Sequence, residues 1–201
     1  MRFFLKSISY IFHPLFIPFA GTVSYFLISP KVSSLELQSG NILPIFILTV
    51  IIPIIAFFIL KNLGLTHSVF APSIPERKYP LAISILIYLM ILYKVIPQNY
   101  VHELYFFFVG LLIASCTLYI LLFLKIKASI HLLGMGSLLM FLSGLSIHFE
   151  MNITFAIAML TLLTGIVASS RLYLRAHSKV ELLIGFLVGV FAQLFTLKYW
   201  L

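Results

Sequence analysis

Aspartate is missing from the 201 residues altogether, and the acids present are Glu36, Glu76, Glu103, Glu150 and Glu181. They are scattered along the chain, so none pairs in sequence into the clustered carboxylates that a hard cation such as magnesium requires. A single cysteine, Cys116, excludes an intramolecular disulfide and a cysteine-based zinc site. It lies inside an apolar run and reads as a small core residue. Charge of either sign is scarce: Asp, Glu, Lys and Arg make up 9% of the chain, against about a quarter in soluble domains. So few charges cannot make a water-facing surface, and most of the exterior must meet lipid.

Apolar residues supply 62% of the chain, and the mean hydropathy is +1.17. They gather in runs at about Ile8–Ile28, Ile42–Leu60, Leu81–Ile96, Leu104–Leu124, Ile130–Ile147, Ile153–Ala168 and Leu182–Leu197. About 20 such residues cross a bilayer as helix, and a lipid core offers no water to unpaired backbone groups, so each crossing must be helical. The expected fold is all-α: a polytopic transmembrane bundle of six to seven helices, one integral membrane domain over residues 1–201. His13-Pro14 and Pro18 make the first run irregular, either kinked or partly re-entrant, and no small-residue cleavage site follows it, so it reads as a retained helix. Breaker residues mark the joints at Ser29-Pro30-Lys31, Ala71-Pro72-Ser73-Ile74-Pro75, Pro97-Gln98-Asn99 and His148 to Asn152. Gly185 and Gly189, four apart, read as a helix-packing stripe. Tyr199 and Trp200 read as interface anchors.

The net charge of +8 does not indicate nucleic acid, because the basic residues punctuate the ends of apolar runs. Alternating crossings put Arg2, Lys6, Lys61, Arg77, Lys78, Lys125, Lys127, Arg171, Arg175 and Lys179 on one face. Lys31, Lys94 and Lys198 fall on the other, a bias of ten to three. The basic face also receives His13, His67, His131 and His177, of which His13 and His67 read as structural or interfacial. His102 and His148 fall opposite, where no chemistry is expected of them.

Three segments concentrate reactive side chains at helix ends on the basic face: Glu76 to Pro80, Lys127 to His131, and Ser170 to His177 followed by Glu181. Arg77, Lys127 and Arg171 supply the fixed positive charge that suits a phosphate oxyanion. His131 and His177 can act as acid, base or nucleophile near neutral pH. Glu181, four residues after His177, shares its helix face and can hold one ring nitrogen protonated while the other attacks. Arg77 and His131 are 54 residues apart, and His131 and Arg171 are 40 apart. Each interval fits two crossings and a tight turn, so the chain returns to the same face. A single crossing would part the segments by about 30 Å of hydrocarbon.

Ser170-Arg171, five residues, His177, three residues and Glu181 resemble the last motif of the type 2 phosphatidic acid phosphatase and vanadium haloperoxidase superfamily, Ser-Arg-x5-His-x3-Asp. Lys127 to His131 is similar to its middle motif, Pro-Ser-Gly-His, and Glu76-Arg77 with Pro80 resembles its first, which ends in Arg-Pro. The His-Pro and Lys-x-Ser-x-His elements also resemble those of a membrane branch. The likeness covers about Glu76 to Gly189. It implies a metal-independent phosphatase with no cofactor, in which His177 is the nucleophile, His131 protonates the leaving alkoxide and Glu181 orients His177. Arg77 and Arg171 would hold the phosphate, helped by Ser129 and, beside them, Lys127 or Lys78. The superfamily's first-motif lysine falls at Phe70, Pro-Ser-Gly becomes Ala128-Ser129-Ile130, and glutamate replaces aspartate at 181.

The expected substrate is a lipid phosphate or diphosphate monoester; by resemblance, phosphatidate, phosphatidylglycerophosphate and undecaprenyl diphosphate are candidates. Helices this apolar suit a membrane lipid partner and no nucleic acid. The diverged first motif keeps open a weak or inactive relative that binds or transports lipid phosphates. The expected location is the inner, cytoplasmic membrane of a bacterium.

Overall fold

The computed structural model describes residues 2–67, 73–96 and 101–201. Among them the chain forms eight helices: α1 (Arg2–Ile11), α2 (Phe16–Ile28), α3 (Leu35–Asn62), α4 (Ile74–Val95), α5 (His102–Phe123), α6 (Ile130–His148), α7 (Thr154–Tyr173) and α8 (Lys179–Leu197). Helices α3 to α8 are each long and apolar enough to cross a bilayer. The all-α polytopic bundle expected from composition is what the chain forms.

The irregular first run is a bent pair, with α1 and α2 meeting at 62°. The break falls at His13-Pro14, because proline lacks the N–H that would continue the helix and disfavours helical backbone just before it. Both ends of the pair are anchored. Near one end Ser9 Oγ lies 2.9 Å from Ser170 Oγ at the close of α7, and near the other Tyr25 donates to Glu103 at the start of α5. The pair therefore reaches from one end of the bundle to the other.

Two helices start well before their apolar runs. Ser34 accepts the Leu37 amide and starts α3 seven residues ahead of Ile42. At α4, Ser73 accepts the Glu76 amide while Glu76 Oε1 accepts the Ser73 hydroxyl, a reciprocal cap with Pro75 in the first turn. That cap makes Arg77 part of a rigid helix. Helix α3 carries a π-turn at Ile47–Ile51, between Pro44 and Pro53. The Ile52 amide there reaches back to the Ile47 carbonyl, five residues away.

Helix α6 is the centre of the bundle: 67% of its spanning window is buried, against 17% for α3 and α4. It lies backbone to backbone with α8. A Cβ on Gly185 would stand 2.3 Å from the Ser129 carbonyl oxygen, and one on Gly189 2.1 Å from that of Leu133, so neither position admits a side chain. The joints at Ala71-Pro72 and Pro97-Gln98-Asn99, and Phe70 with them, lie outside the described residues. Trp200 departs from the anchor expected of it. It is 6% exposed, packed on Phe141 and His148, because the turn after α8 folds back beneath the bundle.

Candidate functional site

Four of the residues that the charge pattern assigns to the basic face, Arg77, His131, Arg171 and His177, line one cavity. Arg77, in the first turn of α4, is 3% exposed. Its Nη1 donates to the Ala128 carbonyl at 2.7 Å, and its Nη2 lies 3.2 Å from His177 Nε2. A guanidinium only donates, so Nε2 is the accepting nitrogen and the ring proton sits on Nδ1. That proton points at Glu181 Oε2, 2.5 Å away. Arginine, imidazole and carboxylate thus fix one tautomer, with a lone pair on Nε2.

The route from α7 to α8 explains how Arg171 and His177 meet. The Ala176 amide donates to the Arg171 carbonyl and the Arg175 amide to that of Leu172, while Arg175 takes a left-handed conformation (φ 52°). Glycine usually fills that position, and here the exposed Arg175 does. The tight reversal turns His177 back to the cavity that Arg171 also lines. Ser178 then caps α8 by accepting the Glu181 amide. Glu181 stands three residues after its cap, where a glutamate commonly bonds back to it, yet its carboxylate goes to His177. Lys127 donates to the Ala176 carbonyl at 3.1 Å and lies 3.9 Å from Glu181 Oε2.

His131 is 5% exposed at the start of α6, with Nε2 3.2 Å from the Ser9 carbonyl. A carbonyl only accepts, so Nε2 carries a proton and Nδ1 is left for other partners. His13 meets it edge to face, with ring centroids 5.3 Å apart. Arg77, Arg171, His131, His177 and His13 line one cavity of about 80 Å³. A second, apolar cavity of about 180 Å³ adjoins it and shares His13, Leu15, Pro80 and Ser84 with it.

Burial, then the positive charges of Arg77, Arg171 and Lys127, lower the His177 pKa from 6.5 to about 3. A carboxylate at Nδ1 favours the imidazolium, but the cations and desolvation outweigh it. His177 is therefore a neutral imidazole at physiological pH. The Lys127 ammonium is lowered by burial and by Arg77, with Glu181 opposing.

Three of the expected phosphate ligands, Lys78, Ser129 and Lys127, stand outside the cavity lining. Lys78, one residue from Arg77, points about 100° around α4 and sits over the Phe123 ring, 5.2 Å from its centroid. Ser129 is fully buried, its amide donating to the Glu181 carbonyl and its hydroxyl accepting the Leu132 amide. Its amide is spent on holding α6 against α8. Lys127 braces the loop and Glu181 without lining the cavity. In the other direction, His13, which reads from the sequence as structural or interfacial, stands in the cavity wall. The signal was present in His13-Pro14, a histidine held at a helix break on the crowded face. His67 is exposed, and Glu76 accepts from its backbone amide. Among the described residues, no three His, Cys, Asp or Glu side chains gather closely enough to hold a metal ion.

Comparison with protein-family models, curated proteins and solved structures returns no match.

Proposed function

We propose that the protein is a metal-independent phosphatase of membrane lipids, a divergent relative of the type 2 phosphatidic acid phosphatases. The observation that carries the reading is the relay Arg77–His177–Glu181, closed by hydrogen bonds of 3.2 and 2.5 Å, in a cavity that also holds Arg171 and His131. Glu181 keeps the proton on Nδ1, and Nε2 keeps its lone pair. Arg77 Nη2 covers that lone pair. An incoming phosphate offers the guanidinium better acceptors, since charge-assisted bonds to oxyanions outcompete one to a neutral ring nitrogen. Nε2 is then released toward phosphorus.

In the first half-reaction Nε2 forms a bond to phosphorus as the bond from phosphorus to the lipid oxygen breaks. With the anionic phosphate bound beside it, His131 takes up a proton on Nδ1 and gives it to the departing oxygen, yielding the lipid alcohol from a monophosphate or the lipid monophosphate from a diphosphate. In the second, neutral His131 takes a proton from water, the hydroxide attacks phosphorus, and the nitrogen–phosphorus bond breaks. Inorganic phosphate leaves, and His131 is charged again. Arg77 and Arg171 neutralise the charge that gathers on the equatorial oxygens. A lipid phosphate or diphosphate monoester is favoured because the cavity adjoins an apolar one and lies among lipid-facing helices. On this reading the protein belongs in a bacterial cytoplasmic membrane, with the site on the face carrying ten of thirteen basic residues, the cytoplasmic one by the positive-inside rule.

The test is phosphate release from phosphatidate, phosphatidylglycerophosphate and undecaprenyl diphosphate by detergent-purified protein in EDTA. Wild type is expected to turn over and His177→Ala to release nothing. Equal rates in the two would remove the mechanism. Saturable binding of the lipids without turnover would favour a lipid-phosphate binding protein instead.

A further inference from the structure

The cavity beside the phosphate site is apolar on every side but one. It lies between α3, which contributes Pro53, Ile54, Phe57 and Phe58, and α4, which contributes Pro80 and Ile83. Helix α3 is poorly covered here: none of Ile52 to Asn62 is buried, and Ile54 and Phe58 are 38% and 56% exposed. Pro53 and Pro80 face the gap, and neither carries a backbone N–H that would need a partner in it. The exception is His13, at the seam where this cavity meets the one holding Arg77, Arg171 and His177. Ser84, also at the seam, has its hydroxyl turned to the Pro80 carbonyl at 2.9 Å.

We propose that the gap between α3 and α4 is the seat of the substrate's hydrocarbon chain and its lateral entrance from the bilayer. This rests on the phosphatase reading for what occupies the neighbouring pocket. A lipid phosphate has a charged end and an apolar end joined at one oxygen, and the two cavities have the same order. With phosphate at the arginines and chain between α3 and α4, the bridging oxygen falls at the seam beside His13. Such a lipid never leaves the hydrocarbon layer: its chain slides between two helices while its headgroup stays at interface depth. Other apolar hollows, such as that lined by Ile113, Ile184 and Phe191, open on outer faces away from the arginines and have no such continuity.

A photoactivatable hexadecyl phosphate, with its diazirine near the phosphate end, tests the route in lipid nanodiscs. Crosslinks are expected within residues 53–60 and 80–84, and excess inorganic phosphate should reduce them. Ile83→Trp, and separately Ile54→Trp at a lipid-exposed position, should lower kcat/KM for hexadecyl phosphate at least about tenfold relative to butyl phosphate, as lost chain burial requires. Crosslinks on the outer faces of α5 and α8, or an unchanged ratio in both variants, would overturn the proposal. Crosslinks in the gap without phosphate release by wild type would leave the chain seat standing and sink the phosphatase reading. Release with crosslinks elsewhere would do the reverse.

Discussion

The lone pair on His177 is the most sharply specified feature of the molecule, and it makes a pH prediction with a definite sign. The folded ring resists protonation down to about pH 3, whereas the unfolded ring takes its proton near 6.5. Stability from the neutral ring is therefore complete above about pH 6.5 and is lost as the pH falls toward 3. Imidazole 15N resonances of His177 should stay in the neutral range at pH 5. Titration near 6.5 in the folded protein would contradict the site's electrostatics. Lys127→Met removes one of the cations, so the imidazolium becomes less costly and the acid limb of turnover should move up in pH. Glu181→Gln leaves the ring's tautomer unsupported and should lower kcat by about 10²- to 10⁴-fold, as loss of the orienting carboxylate does in serine-protease triads. At this scale the sequence was informative where spacing fixes geometry: His177 and Glu181 are four apart on one chain segment, and parity returned Arg77 and His131 to the same face. It was silent on side-chain direction. Nothing in Arg77-Lys78 says which of two adjacent cations turns inward. That is decided by the cap at Ser73 and Glu76, which sets where α4 begins.

Among the elements, α6 and α8 are locked together directly beside the site, α6 contributing His131 and α8 Glu181. Ser129 at the head of α6 donates to the Glu181 carbonyl in the first turn of α8, and Gly185 and Gly189 let the backbones touch below that point. The obstacle to a Cβ at Gly189 is the Leu133 carbonyl at 2.1 Å, which no side-chain rotation relieves, so Gly189→Ala should cost about 1–3 kcal/mol. Because α8 would have to move off α6, Nε2 should also shift from Arg77, and phosphate release should fall along with the detergent melting temperature. An unchanged rate in a destabilised protein would show that α8 does not set the site. The packing role of this stripe was readable from its four-residue spacing. The role of α1 was not, because a short helix with polar residues on one side looks like any interface helix. Its purpose appears only when Ser9 is seen to accept from His131 at its carbonyl and to pair its hydroxyl with that of Ser170, so that a helix far away in sequence orients the His131 ring.

Across the whole molecule, the end opposite the site is closed by a second polar cluster that charge counting passed over. The Glu103 side chain is 3% exposed and holds Lys31 at 2.5 Å, His148 at 3.1 Å and the Tyr25 hydroxyl at 3.0 Å. These residues come from α2, the α2–α3 joint, α5 and the C-terminal end of α6, so the cluster ties four parts of the chain together. Lys31→Met would leave the buried carboxylate with two donors in place of three, at an expected cost of about 1–3 kcal/mol. The thickness of the bundle separates the cluster from Arg77 and His177, so kcat for lipid phosphate should stay within about twofold of wild type while the melting temperature falls. The same anchors bear on topology. With Tyr25 bound to Glu103 at one end and Ser9 to Ser170 at the other, the bent α1–α2 pair runs the length of the bundle, as a seventh crossing would. Seven crossings would put the two ends of the chain on opposite sides of the membrane, with the face that carries ten of the thirteen basic residues beside Arg2. Paired reporters, active only in the cytoplasm and only outside it, joined ahead of Arg2 and after Leu201, should therefore respond oppositely, cytoplasmic at the first and external at the second. Matching signals would mean that the bent pair re-enters the face it left and that its hydrogen bond to Glu103 is not made in the bilayer.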